Sequence, residues 1–235
     1  MQRVNLVGLG VFTTLTVVGL AADRFEVSSI KAVRPRLVNT INALQKDDVA
    51  GARSAFDAYD SAWNGIEVYI NTRSMEMYNE LEKNYQARIA EGLKAPKPDI
   101  AKLLPDAKAM LAKYDEAIGM VEKAAPLNPL FDDVARLRIV RANLREMTPA
   151  LKAGNIAKAR KSFSAFGKQW NGIEHLVKAR SGEADDVIEK GRIQIKQALM
   201  PDKPNVDEVT TLVGGVMARY NAVIADITKD ARAGK

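Results

Sequence analysis

The single histidine of this 235-residue chain, His175, directly follows Glu174. Neighbours on a helix point about 100° apart, whereas metal ligands gather at i, i+3 or i+4 spacing, so the two side chains are poor co-ligands. Glu174 has a second claim. It ends the motif Trp170-Asn171-Gly172-Ile173-Glu174, which repeats Trp63-Asn64-Gly65-Ile66-Glu67. Two recurring carboxylates, Glu67 and Glu174, are the residues best suited to ligate a metal ion or to form a shared binding surface. The structural reading of the motif comes first. Trp63 and Ile66, like Trp170 and Ile173, stand three apart and fill one helix seam, and the glycine lets a neighbouring helix approach. Each glutamate then needs a cation beside it, because an unpaired buried charge is costly. Arg53 or Arg73, and Arg160 or Arg180 in the second occurrence, are the expected partners.

Other candidates carry less chemistry. Glu76/Glu80 and Asp185/Glu189 have the i, i+4 spacing that suits a hard cation. No Asp-x-Asp-x-Asp-Gly loop accompanies them, so solvated acidic faces are expected. Gly214-Gly215 lacks the strand context of a phosphate loop and reads as close helix packing or a local kink. The absence of cysteine excludes disulfides, thiol catalysis and cysteine-ligated metal clusters. With one histidine, no nucleophile elbow, no P-loop and no dinucleotide fingerprint, no enzyme and no cofactor are expected.

A duplication positions these residues. Val33–Lys83 recurs without a gap as Val140–Lys190, with roughly 20 of about 51 positions identical. In each copy, four stretches place apolar residues at alternating steps of three and four. The first seam of the leading copy is Ile30, Val33, Leu37, Ile41 and Leu44, and the second runs from Ala52 through Phe56, Tyr59 and Trp63 to Ile70. The third uses Met77, Leu81, Tyr85 and Ile89, and the fourth runs from Ile100 through Tyr114 to Val121. The trailing copy follows with Val134–Leu151, Ala159–Val177, a helix over about Glu183–Leu199, and Val206–Ile227. Asp48 and Asn155 read as N-caps, Gly154 as a helix terminator, and Lys97-Pro98 and Lys203-Pro204 as matching turns. Pro126-Leu127-Asn128-Pro129 separates the copies. No stretch alternates with period two. The predicted fold is all-α, with two tandem, internally duplicated four-helix up-down bundles over 25–125 and 130–230. Thr72–Met75 and Ala179–Glu183 fit either a kink or a turn, and the tail from Thr228 is expected to fray.

Ahead of the bundles, Val4–Ala22 carries no charge. Its length is just enough to cross a bilayer at about 20 residues. It also fits a signal peptide, with small residues at Gly19–Ala22 for a peptidase. The apolar run exceeds a usual signal core, which favours a retained anchor. Arg24, Lys31, Arg34 and Arg36 follow it and only Arg3 precedes it, so the positive-inside rule alone would hold the body in the cytoplasm. A short tail with one arginine is the mark of an export signal, and the body is expected outside the cytoplasm, in a periplasm or thylakoid lumen. The net charge of +6 is made of interleaved acids and bases. That excludes a nucleic-acid stripe and leaves an anionic membrane surface or an acidic partner.

The segment Ala153–Arg160, followed by Phe163, Trp170, Ile173, Glu174, Arg180 and Ser181, resembles the extracytoplasmic helical domains associated with FTR-type iron permeases and the EfeO and imelysin-like proteins. The resemblance covers about 50 residues per copy and implies iron binding or delivery for an uptake system. The chain lacks the Arg-Glu-x-x-Glu motifs of the permease helices and the Gly-x-His-x-x-Glu motif of imelysins. In outline it is also similar to PsbQ-like four-helix bundles. The expected function is a membrane-anchored helical accessory protein that docks onto a partner protein or membrane complex; the alternative is a metal-binding domain using Glu67 and Glu174.

Overall fold

The structure, a computed structural model, describes residues 24–234. The apolar segment Val4–Ala22 lies outside the described residues, and no helix within them is long and apolar enough to cross a membrane. The fold is all-α, with no strand among the described residues. The first copy forms α1 (Phe25–Gln45), α2 (Val49–Asn71), α3 (Met75–Asn79), a π-helical segment (Glu80–Gln86), α4 (Ala87–Lys94) and α5 (Ile100–Lys123). The second forms α6 (Leu130–Lys152), α7 (Ile156–Trp170), α8 (Glu174–Lys178), α9 (Gly182–Leu199) and α10 (Val206–Arg232).

Side chains in the turns start the helices that follow. Asp48 accepts from the Gly51 amide and Asn155 from the Lys158 amide, as N-caps do. Ser74 and Ser181 cap α3 and α9 in the same way, so the second and third helices of each copy meet at a true turn. Gly154 supplies the positive φ of 68° that ends α6, and Asp47 takes φ 55° at the equivalent place.

Within each copy, successive long helices run antiparallel. Arg34 bonds Asp115 while Tyr114 donates to the Ile30 carbonyl, which sets α1 against α5. Trp63 reaches Glu82 and Arg53 reaches the Leu93 carbonyl, which folds α3–α4 back along α2. The seams read from the sequence face the core, with Trp63, Trp170, Tyr59, Tyr114 and Tyr220 at 0% exposure and Met77, Tyr85, Ile100 and Ile173 partly buried. Each fully buried large apolar side chain contributes about 1.5–3 kcal/mol. The apolar clusters of the two copies merge into one, because α6 lies against both α7 and α2.

The copies differ by one residue, and the structure shows where. The offset is 107 residues from Val33 and Val140 through Lys83 and Lys190, but 106 from Pro98 and Pro204 onward. The additional residue of the first copy falls at the π segment Glu80–Gln86. A π turn absorbs one inserted residue without breaking the helix. Leu81 at its start and the equivalent Ile188, and Ile89 after it and the equivalent Ile195, are accordingly buried in both copies.

Three expectations are corrected. The second helix of the trailing copy is not continuous through Ile173, because α7 ends at Trp170 and α8 begins at Glu174, although Ile173 and Val177 still pack on the core. The tail does not fray from Thr228. α10 continues to Arg232, held by buried Ile227 and Ala231 and by Asn128 donating to the Ala231 carbonyl. Gly214 and Gly215 do not mediate close packing; both face open space on the exposed side of α10.

Candidate functional site

The repeated motif lies inside α2 in the first copy and spans the end of α7, a turn and the start of α8 in the second, and its tryptophan N–H groups are spent locally. The Trp63 indole N–H donates to Glu82, and the Trp170 indole N–H donates to Glu189. Arg53 donates to the Leu93 and Ala95 carbonyls at 2.6 and 2.8 Å, and Arg160 to those of Leu199 and Pro201 at 3.1 and 2.6 Å. These arginines close the C-terminus of the third helix, where orphan carbonyls collect. Trp63 stacks between Tyr59 and Tyr78 and meets Tyr114, while Trp170 packs on Phe166 and Tyr220.

The expected glutamate–arginine pairs are not formed. Glu67 pairs with Arg138 of α6 at 3.0 Å, and burial raises its carboxyl above the ordinary range more than Arg138 lowers it. Arg73 pairs with Glu26 at 2.7 Å in a nearly closed site, and Arg180 pairs with Asp230 at 2.7 Å. The reason is geometric: Arg53 and Arg73 lie toward opposite ends of α2 and meet the helix end and the α1 start nearest to them. Glu174 is exposed at the start of α8, beside the exposed His175. Among the described residues no group of three or more His, Cys, Asp or Glu side chains is placed so that it could hold a metal ion. Asp185 and Glu189 do not form a solvated acidic face either. Asp185 is buried, and Glu189 holds Trp170 and Arg192.

Glu82 and Arg138 were not singled out by sequence reasoning, and Glu189 was singled out only as half of an acidic pair with Asp185. The two glutamates had a signal, since they recur at the motif's own offset and stand nineteen residues after each tryptophan. Arg138 had none, because its contact joins two different copies.

Equivalent grooves lie between the second and third helices. In the first copy a groove of about 610 Å³ is lined by Phe56, Leu93, Asp57, Asp60, Arg53 and Lys94. Burial, aided by Asp60 and Glu146, raises the Asp57 carboxyl against the opposing pull of Lys158 and Lys94. In the second copy a groove of about 410 Å³ is lined by Phe163, Ile193, Lys168, Arg192 and Lys196, with Glu189 already engaged. One scaffold thus presents a mixed, carboxylate-bearing groove and a basic one. No family model, curated protein or solved structure matches the chain.

Proposed function

We propose that this chain is a non-catalytic docking subunit. In this reading, two tandem four-helix up-down bundles, 25–125 and 130–230, are held at a membrane by Val4–Ala22. The body stands outside the cytoplasm, in a periplasm or lumen, and binds a partner protein or membrane complex. One observation carries the reading. Of the four large apolar side chains exposed among the described residues, Val187, Ile193 and Met200 belong to α9 or its C-cap, at 40%, 57% and 72% exposure. Ile193 shares its groove with Phe163 under a rim of Lys168, Arg192 and Lys196. An apolar floor with a basic rim fits an acidic amphipathic segment.

The test is gentle detergent extraction of native membranes, followed by native electrophoresis with detection of this chain. Co-migration with a large complex, lost in Ile193→Ser, supports docking through α9. Migration at monomer size in the unaltered protein contradicts it. Because Ile193 is exposed, the substitution leaves the core intact and reports on docking rather than folding.

A further inference from the structure

The groove between the first and last helices differs between the copies in a way that exposes an anion site. In the first copy this groove is closed by ion pairs. Arg34 forks onto Asp115 at 2.6 and 2.8 Å, and Lys31 meets Glu122 at 2.8 Å. At the equivalent places of the second copy the cations are kept, as Arg141 for Arg34 and Arg138 for Lys31. Both acids are gone. Asn221 stands where Asp115 stood, and Thr228 where Glu122 stood, in the register anchored by Tyr114 and Tyr220. Arg141 now meets only the Asn221 amide oxygen, at 2.7 Å. α10 adds two further cations, Lys229 and Arg232, to the same wall.

The result is a groove of about 530 Å³ lined by Arg138, Arg141, Lys229, Arg232, Asn221 and Thr228, over Ile224 and Ala225, with no carboxylate in its lining. Glu67 occupies one nitrogen of Arg138 from the α2 side, and the Arg138 Nε is buried without a hydrogen bond. The next arginine along α6, Arg145, is taken by Asp60 at 3.1 Å. Gathering like charges in a partly desolvated groove is unfavourable without a counter-charge. In keeping with this, burial and then Arg138 and Arg145 lower the proton affinity of Arg141.

We propose that this groove binds a phosphate-type oxyanion, seated between Arg138, Arg141, Lys229 and Arg232 beside the Asn221 amide. Guanidinium groups match such an oxyanion in shape and charge. The ligand replaces the carboxylates that the first copy carries on its own last helix. Either a soluble phosphate compound or an anionic lipid headgroup supplies this chemistry. The site lies on α6 and α10, away from the α7–α9 groove, and stands independently of the docking reading.

The decisive variant is Asn221→Asp, which rebuilds the first copy's ion pair in the second. The full chain is titrated calorimetrically at low salt with inorganic pyrophosphate, and is also floated with vesicles of phosphatidylcholine alone or mixed with phosphatidylglycerol. The expected result is one saturable site, weakened about tenfold or more by Asn221→Asp. The double change Lys229→Gln and Arg232→Gln weakens it comparably, and Lys168→Gln in the other groove leaves it unchanged. Pyrophosphate binding with this pattern identifies a soluble phosphate ligand. Phosphatidylglycerol-dependent flotation with the same pattern, and no pyrophosphate binding, identifies a headgroup. Circular dichroism of Asn221→Asp checks that the fold is kept. The proposal is overturned if neither probe binds, or if binding is indifferent to Asn221→Asp and to the double change.

Discussion

In the first copy the Trp-Asn-Gly-Ile-Glu motif lies inside a continuous helix with α6 packed across it; in the second α7 ends at buried Trp170, and Asn171, Gly172 and Glu174 lie open to solvent. A Cβ on Gly65 would stand 2.5 Å from Ile139 Cγ1, so the glycine is what lets α6 approach. Gly172 meets nothing closer than the Gln169 carbonyl at 3.5 Å and is exposed. A glycine inside a helix costs about 1 kcal/mol relative to alanine. Packing against α6 offsets that cost in α2, and nothing offsets it in α7, which turns out of the helix there. The flanking residues agree. Buried Val68 becomes exposed His175, and Ser61, bonded to Glu146, becomes exposed Lys168. At these positions the second copy presents polar side chains to solvent where the first meets α6. Its histidine is a mark of that exposure.

The comparison is broken or sharpened by paired substitutions. The largest difference is expected at the arginines. Arg73 and Glu26 have side-chain exposures of 7% and 4%, against 30% and 25% for Arg180 and Asp230. Arg73→Met removes the buried cation and leaves Glu26 only Arg24, 3.0 Å away and more exposed, and should cost about 3 kcal/mol in urea unfolding. Arg180→Met should cost at most about 1 kcal/mol, and equal losses would show that the two pairs are not buried differently. The glycines come next and should differ in sign. Gly65→Ala forces α6 away and should destabilise by about 1–3 kcal/mol. Gly172→Ala should stabilise by up to about 1 kcal/mol, read as opposite shifts in thermal midpoint.

Glu82→Ala and Glu189→Ala test what the copies share. Each removes the acceptor of a buried indole N–H and should cost about 1–3 kcal/mol, nearly alike in the two copies. The smallest effect is on pH dependence. Burial raises the Glu67 carboxyl above its ordinary 4.5, so the folded state holds a proton that the unfolded chain releases. Stability should therefore fall as pH rises from that value through the raised one. Glu67→Gln should flatten the slope in denaturation measured across that range.

Much of the fold was legible because period and capping act locally. The seams, the caps Asp48 and Asn155, and the proline boundary follow from residues within a few positions of one another. What was not legible depends on which helix covers which. The same five residues give an unbroken helix or a turn according to whether α6 lies on them, and neither periodicity nor propensity reports that. The arginine pairings were misread for the same reason, since Arg138 reaches Glu67 from the other copy. The π segment left a legible trace, the change of offset between Lys83 and Pro98, but only the helix path explains it. The basic groove was hidden because Asn221 and Thr228 look unremarkable until the helix register sets them against Asp115 and Glu122.

The claim that α6 decides how the motif folds is tested most directly by residue-resolved amide hydrogen exchange on the unaltered protein. The account predicts strong protection at Gly65 and Ile66, inside buried α2, and fast exchange at Asn171, Gly172 and Ile173, where the bonds are single turns open to water. Equal, high protection at both motifs would mean that the second also folds as a continuous helix, and would contradict the account.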